Sequence, residues 1–161
     1  MKIPSALIAF AMVVSVPVAA APYAEWGVLA DGTSLKEVFV EVKMPEASEV
    51  PLPPPPGGVF INSAFGSGSC IVGMRTKHTV DEVCDFYRAK LKSPEYLSVK
   101  EAEMEGVPSC AIYKNGNADH QAVGVLVYEN EDQMMAKNGT TLTLLSYKSP
   151  VDDDCDGLLL K

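Results

Sequence analysis

Thr79-Val80-Asp81-Glu82-Val83-Cys84-Asp85-Phe86-Tyr87-Arg88-Ala89-Lys90-Leu91-Lys92 is the stretch on which the fold turns. Thr79 and Glu82 stand three apart, as a capping box requires: each side chain can satisfy a backbone N–H that the first helical turn leaves unpaired. The helix should run to about Lys92, because Pro94 follows and cannot continue it. At 100° per residue, Val80, Val83, Cys84, Tyr87 and Leu91 fall within an arc of about 100°, a stripe that must be buried. Asp81, Glu82 and Asp85 lie near the start and Arg88, Lys90 and Lys92 near the end, which suits the helix dipole.

The surface that buries this stripe is read from its neighbours. Downstream, residues 96–104, 109–114, 121–129 and 140–148 are rich in β-formers. They are separated by Gly106-Val107-Pro108, Asn115-Gly116-Asn117 and a loop around Asn138-Gly139, the punctuation of an antiparallel meander. Upstream, residues 59–62 and 70–76 read as two further strands, with a flexible Gly/Ser loop at 63–69 between them. The expected fold class is α+β. It is a two-layer sandwich with one main helix packed on a mostly antiparallel sheet of about five or six strands.

Before residue 59 the composition changes. Pro53 to Pro56 are four consecutive prolines followed by Gly57-Gly58; they can neither join a helix nor donate to a sheet, so 51–58 reads as a stiff polyproline spacer. An SH3-type ligand is the functional alternative for this run, but such domains are rarely met by exported bacterial-looking proteins. In 21–50, Val38, Val40 and Val42 alternate with Phe39, Glu41 and Lys43, which predicts one strand. Residues 1–20 read as a secretory signal: Lys2 gives a positive start, 3–18 are nearly all apolar, and Val18-Ala19-Ala20 places small residues at the cut. The apolar run is interrupted by Pro4, Ser5, Ser15 and Pro17 and is too short for a comfortable membrane span. With the signal removed, no membrane insertion is expected. The domain proper is placed at 59–150, with an acidic tail at 151–161.

The formal net charge is −8, and removing Lys2 with the signal makes it more negative by one. A polyanion would be repelled, and no Lys/Arg cluster offsets this, so nucleic acid and anionic lipid are poor partners.

Thr79-Val80-Asp81-Glu82-Val83, followed by Phe86-Tyr87 and Leu91, lies after a Pro-Pro-Gly segment and before a strand meander. In this it resembles a class of small exported bacterial α+β domains of no assigned function, over roughly residues 51–148. The resemblance implies the topology and carries over no catalytic residue.

The constellations for chemistry are few. Ser67 and Ser69 lie in the Gly-rich loop, but neither has glycine two residues before and after it, so the nucleophile elbow is missing. His78 and His120 are the two histidines that could serve such a serine as base, and both have polar, turn-like surroundings. A small hydrolase built on Ser67 or Ser69 with His78 or His120 is the enzymatic alternative, since triads assemble in space rather than in sequence. The four cysteines, Cys70, Cys84, Cys110 and Cys155, suit two disulfides in an oxidising compartment, and their spacing matches no zinc module. Cys70 lies about 23 Å of strand before the helix entry and Cys84 about 8 Å into the helix, too far apart in height for a bridge. Tracing the meander brings Cys84 nearer Cys110, and Cys70 near the end where the Cys155 tail emerges, so Cys84–Cys110 with Cys70–Cys155 is favoured over the other two pairings.

Asp152-Asp153-Asp154-Cys155-Asp156-Gly157 resembles the first half of an EF-hand loop, with oxygen ligands from Asp152, Asp154 and Asp156 and then the turn glycine. The bidentate acid of position 12 has no counterpart, because Lys161 is position 10. Such a tail is a weak calcium site or a solvated acidic end. Finally, Val123, Val125 and Val127 oppose Leu126 and Tyr128, and Leu142 and Leu144 oppose Leu145 and Tyr147. Both faces of the central strands are apolar, and one helix covers one face. Residues 22–50 are the first expected cover of the second face; a homodimer or another partner is the other. The function expected from all this is binding of a protein or small molecule by an exported, non-enzymatic envelope-accessory protein, without a cofactor unless the tail takes calcium. A calcium-stabilised structural protein is a further alternative.

Overall fold

The computed structural model describes residues 23–40, 42–66, 69–92, 99–102, 104–114 and 122–148. Residues 1–20, expected to be a signal, together with Ser67, His120, Cys155 and the tail acids Asp152, Asp154 and Asp156, lie outside them. In chain order the elements are β1 (Glu25–Trp26), α1 (Leu35–Val38), β2 (Val59–Gly66), β3 (Ser69–Thr76), α2 (Val80–Lys90), β4 (Val99–Ala102), β5 (Ser109–Lys114), β6 (Val123–Glu129) and β7 (Thr141–Tyr147). The architecture is α+β, with α2 packed on a single sheet.

The sheet order is β1-β2-β3-β7-β6-β5-β4. Strands β2 to β7 pair antiparallel throughout, and two-residue β1 adds a parallel rung against Val59 and Phe60. The meander β4 to β7 forms as the punctuation predicts. Its last strand then pairs with β3, from Cys70↔Tyr147 to Thr76↔Thr141, so β7 lies in the middle of the sheet.

α2 begins where the capping box places it. The Thr79 Oγ1 accepts from the Glu82 amide, and the Glu82 carboxylate accepts from the Thr79 amide at 2.8 Å. The expected stripe of Val80, Val83, Cys84, Tyr87 and Leu91 is buried, and the helix packs over β5 and β6. There Cys84 and Cys110 form a disulfide with Cα atoms 6.2 Å apart. Cys70 is also disulfide-bonded; its expected partner Cys155 lies outside the described residues.

Six strands at about 4.8 Å make a sheet nearly 30 Å wide, whereas a helix with its side chains is about 10 Å across. α2 therefore covers less than half of its face. The rest is covered by the N-terminal region, whose Tyr23, Val42, Val50 and Leu52 join Phe60, Val72, Met74 and Leu145 in one core. The proline run belongs to this cover and is not a free spacer. Leu52 and Pro55 are buried, the Tyr87 hydroxyl donates to the Pro53 carbonyl at 3.1 Å, and the Thr76 hydroxyl donates to the Pro56 carbonyl at 2.6 Å. Gly57, at φ 62°, turns the chain from this strap into β2, a conformation that side-chain-bearing residues rarely adopt.

Two local expectations are corrected. The strand predicted around Val38 to Lys43 does not form. Leu35–Val38 is a short helix whose Ser34 cap accepts from the Lys36 amide, and Val40 is 85% exposed. Leu35, Phe39 and Val42 are the inward residues, at spacings of four and three rather than two, and the neighbouring edge of β2 is already paired with β1 at Val59 and Phe60. The loop expected at 63–69 is mostly strand: β2 runs to Gly66 and β3 starts at Ser69, with a bulge between Phe60 and Asn62. A paired neighbour supplies the ladder that glycine and serine do not specify alone.

If the strap is core, Leu52→Ala should lower unfolding stability by about 2–5 kcal/mol. Tyr87→Phe, which loses one hydrogen bond, should cost about 1 kcal/mol. Denaturant titration measures both, and a near-zero effect at Leu52 would return 51–58 to the role of linker. Replacing Cys84 and Cys110 together by alanine should cost about 2–5 kcal/mol in the same assay.

Candidate binding surface

Of the pairs proposed for hydrolysis, the one among the described residues, Ser69 with His78, does not come together. Ser69 opens β3 and His78 follows its far end, so the two are separated by the length of that strand, roughly 23 Å. Ser67 and His120 lie outside the described residues. His78 is tied into the start of α2. Its Nδ1 is 3.3 Å from Glu82 Oε2, its amide donates to Thr76 Oγ1, and its carbonyl accepts from the Thr141 hydroxyl at 2.6 Å. It borders a cleft of about 240 Å³ with Lys77, Asp81, Glu129 and Thr140. The Thr79 and Thr141 hydroxyls beside it are already engaged in hydrogen bonds that hold the helix start.

The buried tyrosines are not acid–base groups near neutrality. Burial raises Tyr23 and Tyr87 well above the usual phenol value and pushes Tyr147 up to about 12. Among the described residues no group of three His, Cys, Asp or Glu side chains could hold a metal ion.

The second face of the sheet differs from the first. Strand pairing sets its rows: Tyr128, Leu142 and Arg75; Ala111, Leu126, Leu144, Gly73 and Asn62; and Tyr113, Gly124, Ser146, Ile71 and Ala64. One end of this face is closed by the chain between β6 and β7. Buried Arg75 donates through Nη1 to the carbonyls of Asn130 (2.9 Å) and Gly139 (3.1 Å) and through Nη2 to Asn130 Oδ1 (2.6 Å). Asn138 in turn exchanges hydrogen bonds with the backbone of Val28, N–H to Oδ1 at 2.9 Å and Nδ2 to carbonyl at 2.8 Å. Gly139, at φ 102°, passes against the Thr76 carbonyl so closely that a Cβ could not fit.

Beyond that end no described segment covers the face. Ile71, Leu126, Leu144 and Tyr128 are half-buried, and Tyr113 is 47% exposed. This corrects the expectation that residues 22–50 cover it. Of those described, Tyr23, Trp26, Phe39, Val42, Met44 and Val50 pack on the helix side, and the neighbourhood of Gly27, Val28 and Leu35 reaches a corner of the second face. Sequence alternation marked the face as apolar. It could not reveal that the strap is needed on the first face, because that follows from the width of the assembled sheet. No family model matches the chain, and no curated protein or solved structure matches it.

The Glu82 carboxyl sits below its ordinary value of 4.5, first because the Thr79 amide donates to it, then through the Thr79 hydroxyl and His78. A carboxylate with a lowered folded pKa stabilises above its unfolded value and loses that contribution as pH falls through the folded one. The stability difference between wild type and Glu82→Gln should therefore be constant above about pH 5 and shrink as the pH falls below about 4. Urea titrations across that range test this, and a difference that does not change with pH would remove the charge from the cap.

Proposed function

We propose that this is an exported, non-enzymatic binding protein, an envelope accessory acting in the periplasm or outside the cell, whose partner docks on the open sheet face. The single observation that carries the reading is that face: Ile71, Leu126, Leu144, Tyr128 and Tyr113 form an apolar surface with one end closed by Arg75 and its loop. Apolar patches of this kind mark interaction sites. The Cys84–Cys110 disulfide and the signal-like start support an oxidising compartment. The resemblance to small exported α+β domains fits this reading. Among the described residues no helix is long and apolar enough to cross a membrane.

Affinity capture from the native envelope fraction tests the proposal. A partner retained by wild type and by His78→Ala/His120→Ala, and lost with Leu126→Asp/Leu144→Asp, is the expected outcome. Loss with the histidine variants and retention with the face variants would point to the enzymatic alternative.

A further inference from the structure

We propose that the occupant of the open face is a second copy of this chain, docked sheet to sheet; this rests on the reading of that face as a binding surface. Three observations select this occupant.

The first is shape. The centre of the face is Leu144, with Leu126 and Gly73 beside it in one row and Gly124 and Ser146 in the next, and Gly73 is already overlaid by a side chain of the same sheet. A Cβ on Gly73 would collide with the Asn62 side chain, and one on Gly124 would touch the Tyr113 ring at 3.6 Å. Gly73 therefore leaves no socket for an inserted side chain. A flat layer can approach to the usual distance of about 10 Å between packed sheets.

The second is charge. The chain has a formal net charge of −8, yet the described strand positions of β2, β3, β5, β6 and β7 on this side carry no acid, and at the β4 edge the register sets Lys100 opposite Tyr113. Arg75, within the face, is buried and turned to backbone carbonyls. A basic partner would be drawn to the acidic exposed surface, such as Asp81, Glu82 and Asp85 on α2, and an anionic membrane would be repelled. A patch without acids on an acidic molecule suits a like-charged copy, whose repulsion is then kept to the rim.

The third is size. Five strands by about five residues give a face of roughly 24 by 17 Å, so a pair removes on the order of 1,000 Å² from water. That lies at the lower end for specific interfaces. The dimer is therefore weak and concentration-dependent, and the two copies are related by a two-fold axis that places the same rows against each other.

The test is sedimentation velocity of the mature, disulfide-intact chain from low micromolar to near-millimolar concentration. Wild type should shift from monomer to dimer, and Val40→Asp, at an exposed site away from the face, should behave as wild type. Leu144→Asp should weaken association at least ten-fold, with circular dichroism confirming the fold. Should Leu144→Asp not fold, the milder Tyr113→Ser and Leu126→Ser carry the test, each with a several-fold weaker dimer expected. A wild type that stays monomeric throughout, or a dimer unaffected by these face variants, overturns self-docking. In that case, loss of a captured envelope partner with the same variants leaves the binding reading standing, and its retention overturns both.

Discussion

The width of the sheet governs the rest of the molecule. A six-stranded layer cannot be dried by one eleven-residue helix, so a second cover must exist, and the chain supplies it from residues that have little regular structure. Polyproline geometry suits that task. It is extended, its missing N–H groups demand no partners, and its carbonyls remain free to accept from Tyr87 and Thr76. The helix and the strap thus complete one layer together, and the Tyr87–Pro53 hydrogen bond is the seam between them. Among the described residues, the other side of the sheet receives only the small closure built on Arg75 and Asn138.

The elements with local causes were legible in the sequence. Thr79 and Glu82 specify the start of α2 whatever surrounds them, and the stripe from Val80 to Leu91 needs only helical periodicity to be read. Ser109–Lys114 stands out because turn residues bound it on both sides. What was not legible depended on neighbours. Val38, Val40 and Val42 alternate like a strand, but a strand requires an edge to pair with, and β1 had taken that position. Ser63 and Gly66 look loop-like until β3 lies beside them. The role of the proline run was misread for the same reason: nothing in Pro53 to Pro56 announces that Tyr87 will donate to it.

The candidate site was half legible. Alternation in β6 and β7 showed that both faces were apolar, and that is the property on which the proposed binding rests. Which face would remain open was a matter of allocation, decided by burying Tyr23, Val50 and Leu52 beside the helix. The separation of Ser69 from His78 was implicit in the strand between them.

The position of β7 has a consequence for how the protein is made. The last strand in chain order among the described residues is central, paired with β3 on one side and β6 on the other. Tyr147 meets Cys70 across most of the domain's length. Until that strand arrives, the hairpin of β2 and β3 and the sheet of β4 to β6 each present a bare edge and cannot join. Such long-range closure is slow, because loop entropy is lost before the contacts that compensate for it form. A polypeptide threaded across a membrane from its N-terminus would thus reach the far side while still unable to complete its sheet. For a chain exported as proposed, late closure of this kind would keep it unfolded for passage and leave its unpaired edges in need of protection on arrival.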